Sequence, residues 1–258
     1  MKLYQDYIFD LYGTLVDIRT DEEQRVLWNK MSLFFGYYGA VYAPEELRRM
    51  YRKLVTDKEK AQKAEKERCM QIVQKEQIHY AHEAYPEIPI EEVFEELYEK
   101  KGIRAGKELV LHTAQMFRVF STHHVRLYAG AKELLSEIRR NGRGVYLLSN
   151  AQRVFTEYEL RYLGIYDSFD GILISSDHGI RKPDVEFFRL LFEKYRLDPE
   201  KSLMIGNDLD NDIAGAKRAG MDTFYIHSAI SPALKREVDA DYTMMRMNLS
   251  SLTKQLFS

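Results

Sequence analysis

Short apolar runs that end in small or acidic residues recur along the chain. Each run has three or four residues with little polar interruption, which is typical of strands in a parallel sheet that is covered on both faces. The pattern predicts five strands, at residues 7–9, 145–148, 172–174, 203–205 and 223–226.

Segments with helical spacing separate the later runs. The predicted helices lie at residues 131–140, 154–163, 184–195 and 212–219. Three of them end next to a glycine, which is a favourable residue after a helix C-terminus. Strands and helices that alternate at this spacing predict right-handed crossovers. We therefore expect an α/β fold with a doubly wound parallel sheet.

Residues 18–126 have a different pattern, in which apolar positions follow helical spacing throughout and strand alternation is not convincing. The predicted helices lie at residues 22–37, 44–80, 90–100 and 107–120, with a break near Thr56 left open in the second. We expect this stretch to be a helical domain inserted after the first strand. The expected domains are an α/β core of residues 1–17 and 127–258 and a helical domain of residues 18–126.

Composition and charge narrow the class of protein. Apolar residues make up 45% of the chain and aromatic residues 12%, which is enough for an ordinary buried core and argues against disorder. Lys and Arg (38) nearly balance Asp and Glu (40), so the formal charge is -2. A nucleic-acid-binding protein that relies on electrostatics would need an excess of basic residues. We expect a small-molecule substrate and no nucleic-acid partner.

The cellular location is inferred from features that the sequence lacks. Cys69 is the only cysteine, so neither an intrachain disulfide nor a cysteine-based zinc site can form. No apolar run approaches the ~18–20 residues that span a bilayer, and the first residues do not resemble a secretion signal. The expectation is a cytoplasmic protein without a membrane partner. The oligomeric state is left open.

The first predicted strand leads directly into the sequence Asp-Leu-Tyr-Gly-Thr at positions 10–14. In doubly wound folds, ligands bind just outside the carboxyl ends of the strands. A carboxylate at that place, Asp10, can attack an electrophile and form a covalent intermediate. The alternative is an acidic residue that only caps a turn.

Two further strand ends carry polar residues that can bind an anion. Ser149 and Asn150 end the second strand, where a hydroxyl and backbone N–H groups can hold an anionic oxygen, although Ser-Asn is also ordinary turn chemistry. Lys182 follows the third strand and can neutralise a phosphoryl group or a carboxylate. The alternative for Lys182 is a surface lysine.

Acidic residues cluster after the fourth strand. The sequence Gly-Asn-Asp-Leu-Asp-Asn-Asp at positions 206–212 places Asp208, Asp210 and Asp212 close together. Carboxylates packed this densely repel one another, which favours a bound hard cation with oxygen ligands. The alternative is a solvated acidic loop that caps the helix beginning near Asp212.

Taken together, these four motifs resemble those of the haloacid dehalogenase (HAD) superfamily, and they occur in the family's order. Residues 175–184 resemble its third motif region, and residues 215–221 resemble the stretch after its fourth. The resemblance implies a Rossmann-like core. It also implies that residues 18–126 are the family's cap, a domain inserted between the first and second motifs that closes over the site and selects substrate.

The resemblance assigns a role to each motif. It implies that Asp10 is the nucleophile, which forms an aspartyl ester or an aspartyl phosphate, and that Thr14 orients it. It further implies that Ser149, Asn150 and Lys182 bind the transferred group.

The same resemblance implies a Mg²⁺ site. Its ligands would be Asp10, the backbone carbonyl of Tyr12 and acids of the fourth motif, where Asp212 matches the family's distal acid. Asn207 stands where an aspartate is common, so Asp208 is an alternative ligand. Tyr12 is also placed among the substrate-binding residues.

Tyr12 departs from the phosphatases of the family, which usually carry an aspartate there that protonates the leaving group. A phenol with a pKa of about 10 suits that task poorly at neutral pH. Asp-x-Tyr-Gly-Thr is the pattern of the family's dehalogenases, whose halide leaves without a proton and which need no metal. The halide-binding arginine of those enzymes is missing from residues 39–43, and Phe188 replaces one of their tyrosines.

These features support three interpretations of function. We favour a Mg²⁺-dependent phosphatase of small phosphorylated metabolites, because the clustered acids need a cation and the Tyr12 position would contribute only its backbone carbonyl. The second interpretation is a 2-haloacid dehalogenase that needs no metal. The third is a binding or regulatory protein that keeps the fold but has little turnover, since a fold does not determine a function.

Overall fold

The computed structural model describes residues 1–75 and 84–257, which form a six-stranded sheet, a two-stranded ribbon and helices around them. The strands are β1 (Asp6–Phe9), β2 (Val16–Thr20), β3 (Thr122–Leu127), β4 (Gly144–Ser149), β5 (Gly171–Ile174), β6 (Ser202–Gly206), β7 (Asp222–Ile226) and β8 (Tyr242–Met244). The helices are α1 (Arg25–Tyr37), α2 (Pro44–Lys75), α3 (Ile90–Glu99), α4 (Lys107–Ser121), α5 (Ala131–Arg140), α6 (Arg153–Tyr162), α7 (Val185–Tyr195), α8 (Gly215–Arg218) and α9 (Leu249–Phe257).

The six strands of the main sheet run parallel in the order β5-β4-β1-β6-β7-β8. Ile8 in β1 pairs with Tyr146 in β4 and with Met204 in β6, so β1 lies inside the sheet. The chain adds β4 and β5 on one side of β1 and then adds β6, β7 and β8 on the other. In sheets of this class, ligands bind where the winding reverses, outside the carboxyl ends of the strands. The predicted doubly wound parallel sheet is confirmed.

Alternate residues of the central strands face two apolar layers. Tyr7 and Phe9 belong to the layer that includes side chains from α5, α6 and α9, whereas Ile8 belongs to the layer that includes side chains from α7 and α8. Because both faces of the strand are buried, every position in it must be apolar, which explains the continuous runs in the sequence. All five predicted strands are confirmed, and β8 and α9 extend the fold beyond them.

The cap helices α1 to α4 pack around an aromatic core of their own. Phe35 from α1 stacks on Tyr98 from α3, with ring centroids 4.4 Å apart. The ring centroids of Phe94 from α3 and Phe117 from α4 are 5.4 Å apart. Aromatic pairs of this kind stabilise a fold beyond the area that they bury. The buried aromatic residues of the cap core are Trp28, Phe35, Tyr42, Tyr51, Phe94, Tyr98 and Phe117.

The longest helix, α2, runs without interruption from Pro44 to Lys75, so the alternative of a break near Thr56 is wrong. A β-branched residue disfavours a helix by only about 0.5 kcal/mol, and the nearby Leu54 is buried in the cap core. The end of the predicted helix, residues 76–80, lies outside the described residues. Even α2 is too polar to cross a membrane, and no other helix in the described parts of the chain could span one.

The prediction that residues 18–126 are helical throughout is wrong at both ends. β2 and β3 pair antiparallel and form a ribbon that carries the chain into the cap and back to the core. Arg126 Nε donates to Asp17 Oδ2 at 2.8 Å, and His124 Nε2 lies 3.2 Å from Asp17 Oδ1. These charged cross-strand pairs mask the alternation of apolar residues that would have indicated strands. The proposed domain boundary falls within this ribbon.

The last predicted core helix also begins differently from the prediction. A π-helical turn, Leu209–Ala214, precedes α8, so the helical path starts before Asp212. The side chain of Asp208 accepts from the backbone N–H groups of Asp210 and Asn211 and caps this turn. The N-cap residue, Asp208, therefore determines where the π-helical turn begins.

A second contact between cap and core involves residues 84–90, which we name the strap. The N–H of Glu87 donates to the carbonyl of Gly179 at 3.3 Å, and the N–H of Arg181 donates to the carbonyl of Tyr85 at 3.0 Å. Both core residues lie in the loop after β5. The strap therefore binds the backbone of that loop directly.

Phe35→Ala should lower the free energy of unfolding by about 3–5 kcal/mol, because it leaves a cavity among the aromatic side chains of the cap. Urea unfolding followed by circular dichroism measures this loss. Leu33→Ala is the matched control on the same helix, since its side chain is 67% exposed, and it should change the free energy by less than about 0.5 kcal/mol. Equal losses for the two variants would contradict the packing described here.

Candidate active site

The ends of four parallel strands meet at one edge of the main sheet. Asp10 follows β1, Ser149 ends β4, Lys182 lies in the loop after β5 and Asn207 follows β6. Because the carboxyl ends of parallel strands share an edge, motifs that are far apart in the sequence come together. A cavity of about 200 Å³ lies at this edge. Its lining residues are Asp10, Tyr12, Asn150, Lys182, Asn207, Asp208, Asn211, Asp212, Ile230 and Pro232.

The ammonium group of Lys182 joins two carboxylates beside this cavity. Its Nζ lies 2.7 Å from each of three oxygens: Asp10 Oδ1, Asp212 Oδ1 and the carbonyl of Leu148. Lys182 is 1% exposed, so the alternative of a surface lysine is wrong. All three N–H groups of the ammonium are used, and the two buried carboxylates share one positive charge.

Burial and neighbouring charges both shift the pKa values of Lys182 and Asp212. Burial alone would lower the pKa of Lys182, but the charges of Asp10 and Asp212 outweigh it, so the pKa is raised and the ammonium stays charged. Burial raises the pKa of Asp212 to about 7, and the negative charge of Asp10 acts in the same direction against the opposing effect of Lys182. The site therefore has an excess of acidic groups that a second cation would balance.

The backbone after β6 holds Asp212 in place. Asp212 Oδ2 accepts from the N–H groups of Asn207 and Asp208, each at 3.0 Å. Gly206 makes this approach possible, because a Cβ atom at that position would lie 2.3 Å from Asp212 Oδ2. The glycine before the acidic cluster is thus required by the packing of the carboxylate.

Asp208 also borders the cavity, but its carboxylate is committed to the turn that follows. Its Oδ1 accepts from the N–H groups of Asp210 and Asn211 at 2.8 and 3.0 Å, and its Oδ2 accepts from Asn211 Nδ2 at 2.7 Å. The capping alternative from the sequence therefore describes Asp208, while Asp212 lies beside Asp10. Because the turn occupies the Asp208 carboxylate, Asp212 is favoured over Asp208 as a metal ligand.

Thr14 and Asn207 lie on the other side of Asp10. Thr14 Oγ1 is 3.5 Å from Asp10 Oδ2 and 3.4 Å from Asn207 Oδ1. Asn207 Nδ2 donates to Ser231 Oγ at 3.3 Å, which directs the amide oxygen of Asn207 towards Thr14. Gly13 allows this packing, since its φ is +90° and a Cβ atom there would lie 2.4 Å from the Asn207 side chain.

The loop after β7 also belongs to the site, although no sequence motif indicated it. Ser231 orients Asn207, and Ile230 and Pro232 line the cavity. The stretch Ser-Ala-Ile-Ser-Pro at positions 228–232 has no motif and is typical of any turn. Only the position of this stretch could have indicated that it belongs to the site, because it follows the carboxyl end of the fifth predicted strand.

Ser149 and Asn150 have different surroundings at the end of β4. Ser149 is completely buried, and its Oγ has no hydrogen-bond partner within the described residues. The Asn150 amide binds the backbone of Lys182 twice, because Nδ2 donates to the carbonyl of Lys182 at 2.9 Å and Oδ1 accepts from the N–H of Lys182 at 2.8 Å. Asn150 therefore fixes the backbone of Lys182, whereas the buried Ser149 hydroxyl is left without a partner within the described residues.

The hydroxyl of Tyr12 is committed to helix α6. It donates to Glu159 Oε2 at 2.6 Å and lies 3.2 Å from Thr156 Oγ1. Burial raises the pKa of the Tyr12 hydroxyl above its ordinary value, and the nearby charge of Glu159 acts in the same direction. Tyr12 therefore cannot serve as a proton donor to a leaving group near neutral pH.

The model of one family, haloacid dehalogenase-like hydrolase, matches residues 7–220 of the chain. The chain belongs to this family. The matched range includes Asp10, Lys182 and Asp212, and it ends before the loop that contains Ser231. The resemblance inferred from the four sequence motifs is therefore confirmed.

A curated relative matches about half of the chain. The HAD-like hydrolase is 30% identical over 142 residues to phosphoserine phosphatase from Thermus thermophilus. The similarity covers 55% of this chain and 56% of the relative. The chain thus spans about half the length of the curated relative that it matches.

Solved structures of the family share the fold. The putative HAD-hydrolase YfnB from Bacillus subtilis, solved with bound magnesium, has a TM-score of 0.55 and 22% identity, with 100% of both chains covered. The 2-haloacid dehalogenase from Pseudomonas syringae has a TM-score of 0.63 and 21% identity, with 98% of both chains covered. At these identities the similarity shows the fold alone.

The residues of this HAD-like hydrolase fit a Mg²⁺ ion. Asp10 and Asp212 offer carboxylates, Asn207 an amide oxygen and Tyr12 a backbone carbonyl, and all four are hard oxygen donors of the kind that Mg²⁺ prefers. Two buried carboxylates that share one ammonium favour a further cation. Where the structure describes the chain, no group of three or more His, Cys, Asp or Glu side chains could hold a metal, so neutral oxygens must complete the ligand set.

Lys182→Met should lower the free energy of unfolding by about 3–5 kcal/mol, because it leaves two buried carboxylates without their shared counter-charge. Urea unfolding without added metal measures the effect. Lys201→Met is the matched control: Lys201 also lies 2.7 Å from an aspartate, Asp198, but this pair is at the surface, so its loss should be barely measurable. Similar effects of the two substitutions would refute the central role of Lys182.

Proposed function

We propose that the protein is a Mg²⁺-dependent phosphatase of small phosphorylated metabolites, with Asp10 as its nucleophile. One observation carries the proposal: Asp10 and Asp212 share the buried ammonium of Lys182 at the wall of a small cavity. This arrangement places a positive charge beside the nucleophile and leaves negative charge for a metal to balance. The similarity to a phosphoserine phosphatase over about half of each chain supports a phosphate monoester as the substrate class.

In the proposed reaction, Asp10 Oδ2 attacks the phosphorus atom and the bond from phosphorus to the leaving oxygen breaks. The products are an aspartyl phosphate and an alcohol or phenol, which takes its proton from water. A water molecule then attacks the aspartyl phosphate, and inorganic phosphate leaves as the carboxylate forms again. Lys182 holds Oδ1 at 2.7 Å, and Oδ2, which has the longer contact of 3.5 Å with the Thr14 hydroxyl, is the oxygen that we assign to the attack.

Two groups are suited to bind the phosphoryl oxygens. Lys182 supplies a fixed positive charge, and Ser149 supplies a buried hydroxyl that has no other partner within the described residues. Asp10, Asn207, Asp212 and the Tyr12 carbonyl would hold Mg²⁺. When bound, the ion supplies positive charge that offsets the charge of the phosphoryl group.

The cavity favours a compact substrate. Its volume of about 200 Å³ lies below the range of about 300–1,000 Å³ that is usual for ligand pockets. Ile230 and Pro232 add an apolar wall opposite the charged groups. We further propose that the substrates are free small molecules, since the balanced charge of the chain does not favour nucleic acids. We also propose that the enzyme acts in the cytoplasm.

A 2-haloacid dehalogenase is the second candidate, and the environment of Tyr12 favours it. The Tyr12 hydroxyl is donated to a carboxylate and offers no proton to a leaving group, and a halide needs none. The cavity argues against this function, because Lys182 is the one basic side chain among its described lining residues. In the cap, Arg48 and Arg52 form ion pairs with Glu23, and neither is among the lining residues of the cavity.

A phosphatase of this kind should release inorganic phosphate from an aryl phosphate only when Mg²⁺ is present. Asp10→Asn should lower the rate by about 10³-fold or more, because an amide is a poor nucleophile. A colorimetric phosphate assay measures both effects. Asp210→Asn is the matched control in the acidic cluster, and it should keep wild-type activity because its side chain is 78% exposed and pairs with Arg236.

The other interpretations give different results in the same experiments. A dehalogenase should release halide from a 2-haloacid in the presence of a chelator and release no phosphate. A binding or regulatory protein should release neither product, yet a ligand should raise its thermal stability. Phosphate release that survives the Asp10→Asn substitution would contradict the proposal.

Asp212→Asn should raise the Mg²⁺ concentration for half-maximal activity by about 10-fold or more, because it removes a charged ligand. Asp208→Asn should change that concentration by less than about threefold, since its carboxylate caps a turn and asparagine caps equally well. Titration of the phosphatase assay with MgCl₂ measures both values. A larger effect of Asp208→Asn would show that the ligand assignment is wrong.

A further inference from the structure

Three side chains join the cap helix α4 to the loop that carries Asp10. Arg118, in α4, donates through Nε to Glu159 Oε1 at 2.6 Å and through a terminal nitrogen to Glu159 Oε2 at 3.0 Å. Tyr12 donates its hydroxyl to the same Glu159 Oε2 at 2.6 Å. We name Arg118, Glu159 and Tyr12 the cap–core clamp.

The cap–core clamp is largely buried, and Arg118 and Glu159 also line a cavity of about 790 Å³. The side chains of Arg118 and Glu159 are 17% and 8% exposed. The guanidinium carbon of Arg118 lies 5.5 Å from the ring centroid of Tyr12 and 5.2 Å from that of Phe155, so aromatic faces surround the charge. Because an unpaired charge at such a place is strongly unfavourable, each charged member depends on its partner. The clamp therefore has one favourable arrangement.

Tyr12 transmits this arrangement to the backbone around Asp10. The N–H of Gly13 donates to the carbonyl of Val16 at 2.8 Å, and the N–H of Val16 donates to the carbonyl of Leu11 at 2.9 Å, so the loop is tightly closed. Val16 also begins β2, whose partner β3 follows α4 directly in the chain. The cap thus holds the loop twice, through the ribbon and through the Tyr12 side chain.

We propose that the cap–core clamp positions the Asp10 loop for the reaction. The inference rests on the proposed function, and the members of the clamp are positioning residues. Arg118 holds Glu159, Glu159 holds Tyr12, and Tyr12 fixes the backbone between the nucleophile and the rest of the loop, including the carbonyl proposed to bind Mg²⁺. The position that is usually an acid in the family's phosphatases therefore serves here as an anchor.

Two variants test the two ends of the clamp. Tyr12→Phe removes one hydroxyl and keeps the buried ring, so it should fold like the wild type. Arg118→Met removes the contact from the cap side. Glu157→Gln is the matched control, because Glu157 lies on the same helix α6 and pairs with Arg161 at 3.0 Å, but at the surface.

The first measurement is hydrogen–deuterium exchange of the full chain without added metal. The amides of residues 13–16 should exchange roughly 10-fold faster in Tyr12→Phe and Arg118→Met than in the wild type or in Glu157→Gln. The amides of β4 should keep their wild-type rates in Tyr12→Phe, which separates a local loss of positioning from general destabilisation. Wild-type exchange at residues 13–16 in both clamp variants would overturn the proposal.

The second measurement is the rate of phosphate release with Mg²⁺ present. In Tyr12→Phe, kcat should fall roughly 10- to 100-fold with little change in KM, because the substrate binds next to a misplaced nucleophile. A wild-type kcat in Tyr12→Phe would overturn the role of the clamp in the reaction. If the wild-type protein releases no phosphate, the proposed function fails, and the exchange result still decides whether the clamp positions the loop.

Discussion

The ammonium group of Lys182 makes the buried acidic site possible. Without it, Asp10 and Asp212 would lie close together in a region of low dielectric, where like charges repel strongly. The ammonium lies 2.7 Å from three acceptors at once, so the loop after β5 must be placed accurately. Neighbouring features meet this requirement: Asn150 binds the backbone of Lys182, and Gly206 leaves room for Asp212.

The core of the fold could be predicted from the sequence because burial leaves a simple pattern there. Residues such as Ile8 and Phe9 face opposite apolar layers, so whole strands are apolar and stand out. The ribbon of β2 and β3 lacks this signal, since Asp17 and Arg126 form a charged pair between its strands. Its strands are stabilised by partners that are distant in the sequence, and pattern analysis of one segment cannot detect such partners.

Some residues of the site could likewise be recognised from the neighbouring sequence, whereas others depend on partners that are distant in the chain. Asp10 and Lys182 could be selected because each follows a predicted strand, and parallel strands bring their carboxyl ends together. The sequence left Asn207 and Asp208 as alternatives beside Asp212, since residue types do not reveal that backbone N–H groups occupy the Asp208 carboxylate. The contact from Arg118 to Glu159 had no signal at all, because the two residues lie on separate helices and belong to no motif.

The strap connects the cap to the loop that carries Lys182. The backbone of Arg181 is bound to the strap residue Tyr85, and Arg181 is the immediate neighbour of Lys182 in the chain. A cap that lifted away from the core would pull on the peptide next to the counter-ion of the nucleophile. The position of the cap and the position of the Lys182 loop therefore depend on each other through these backbone hydrogen bonds.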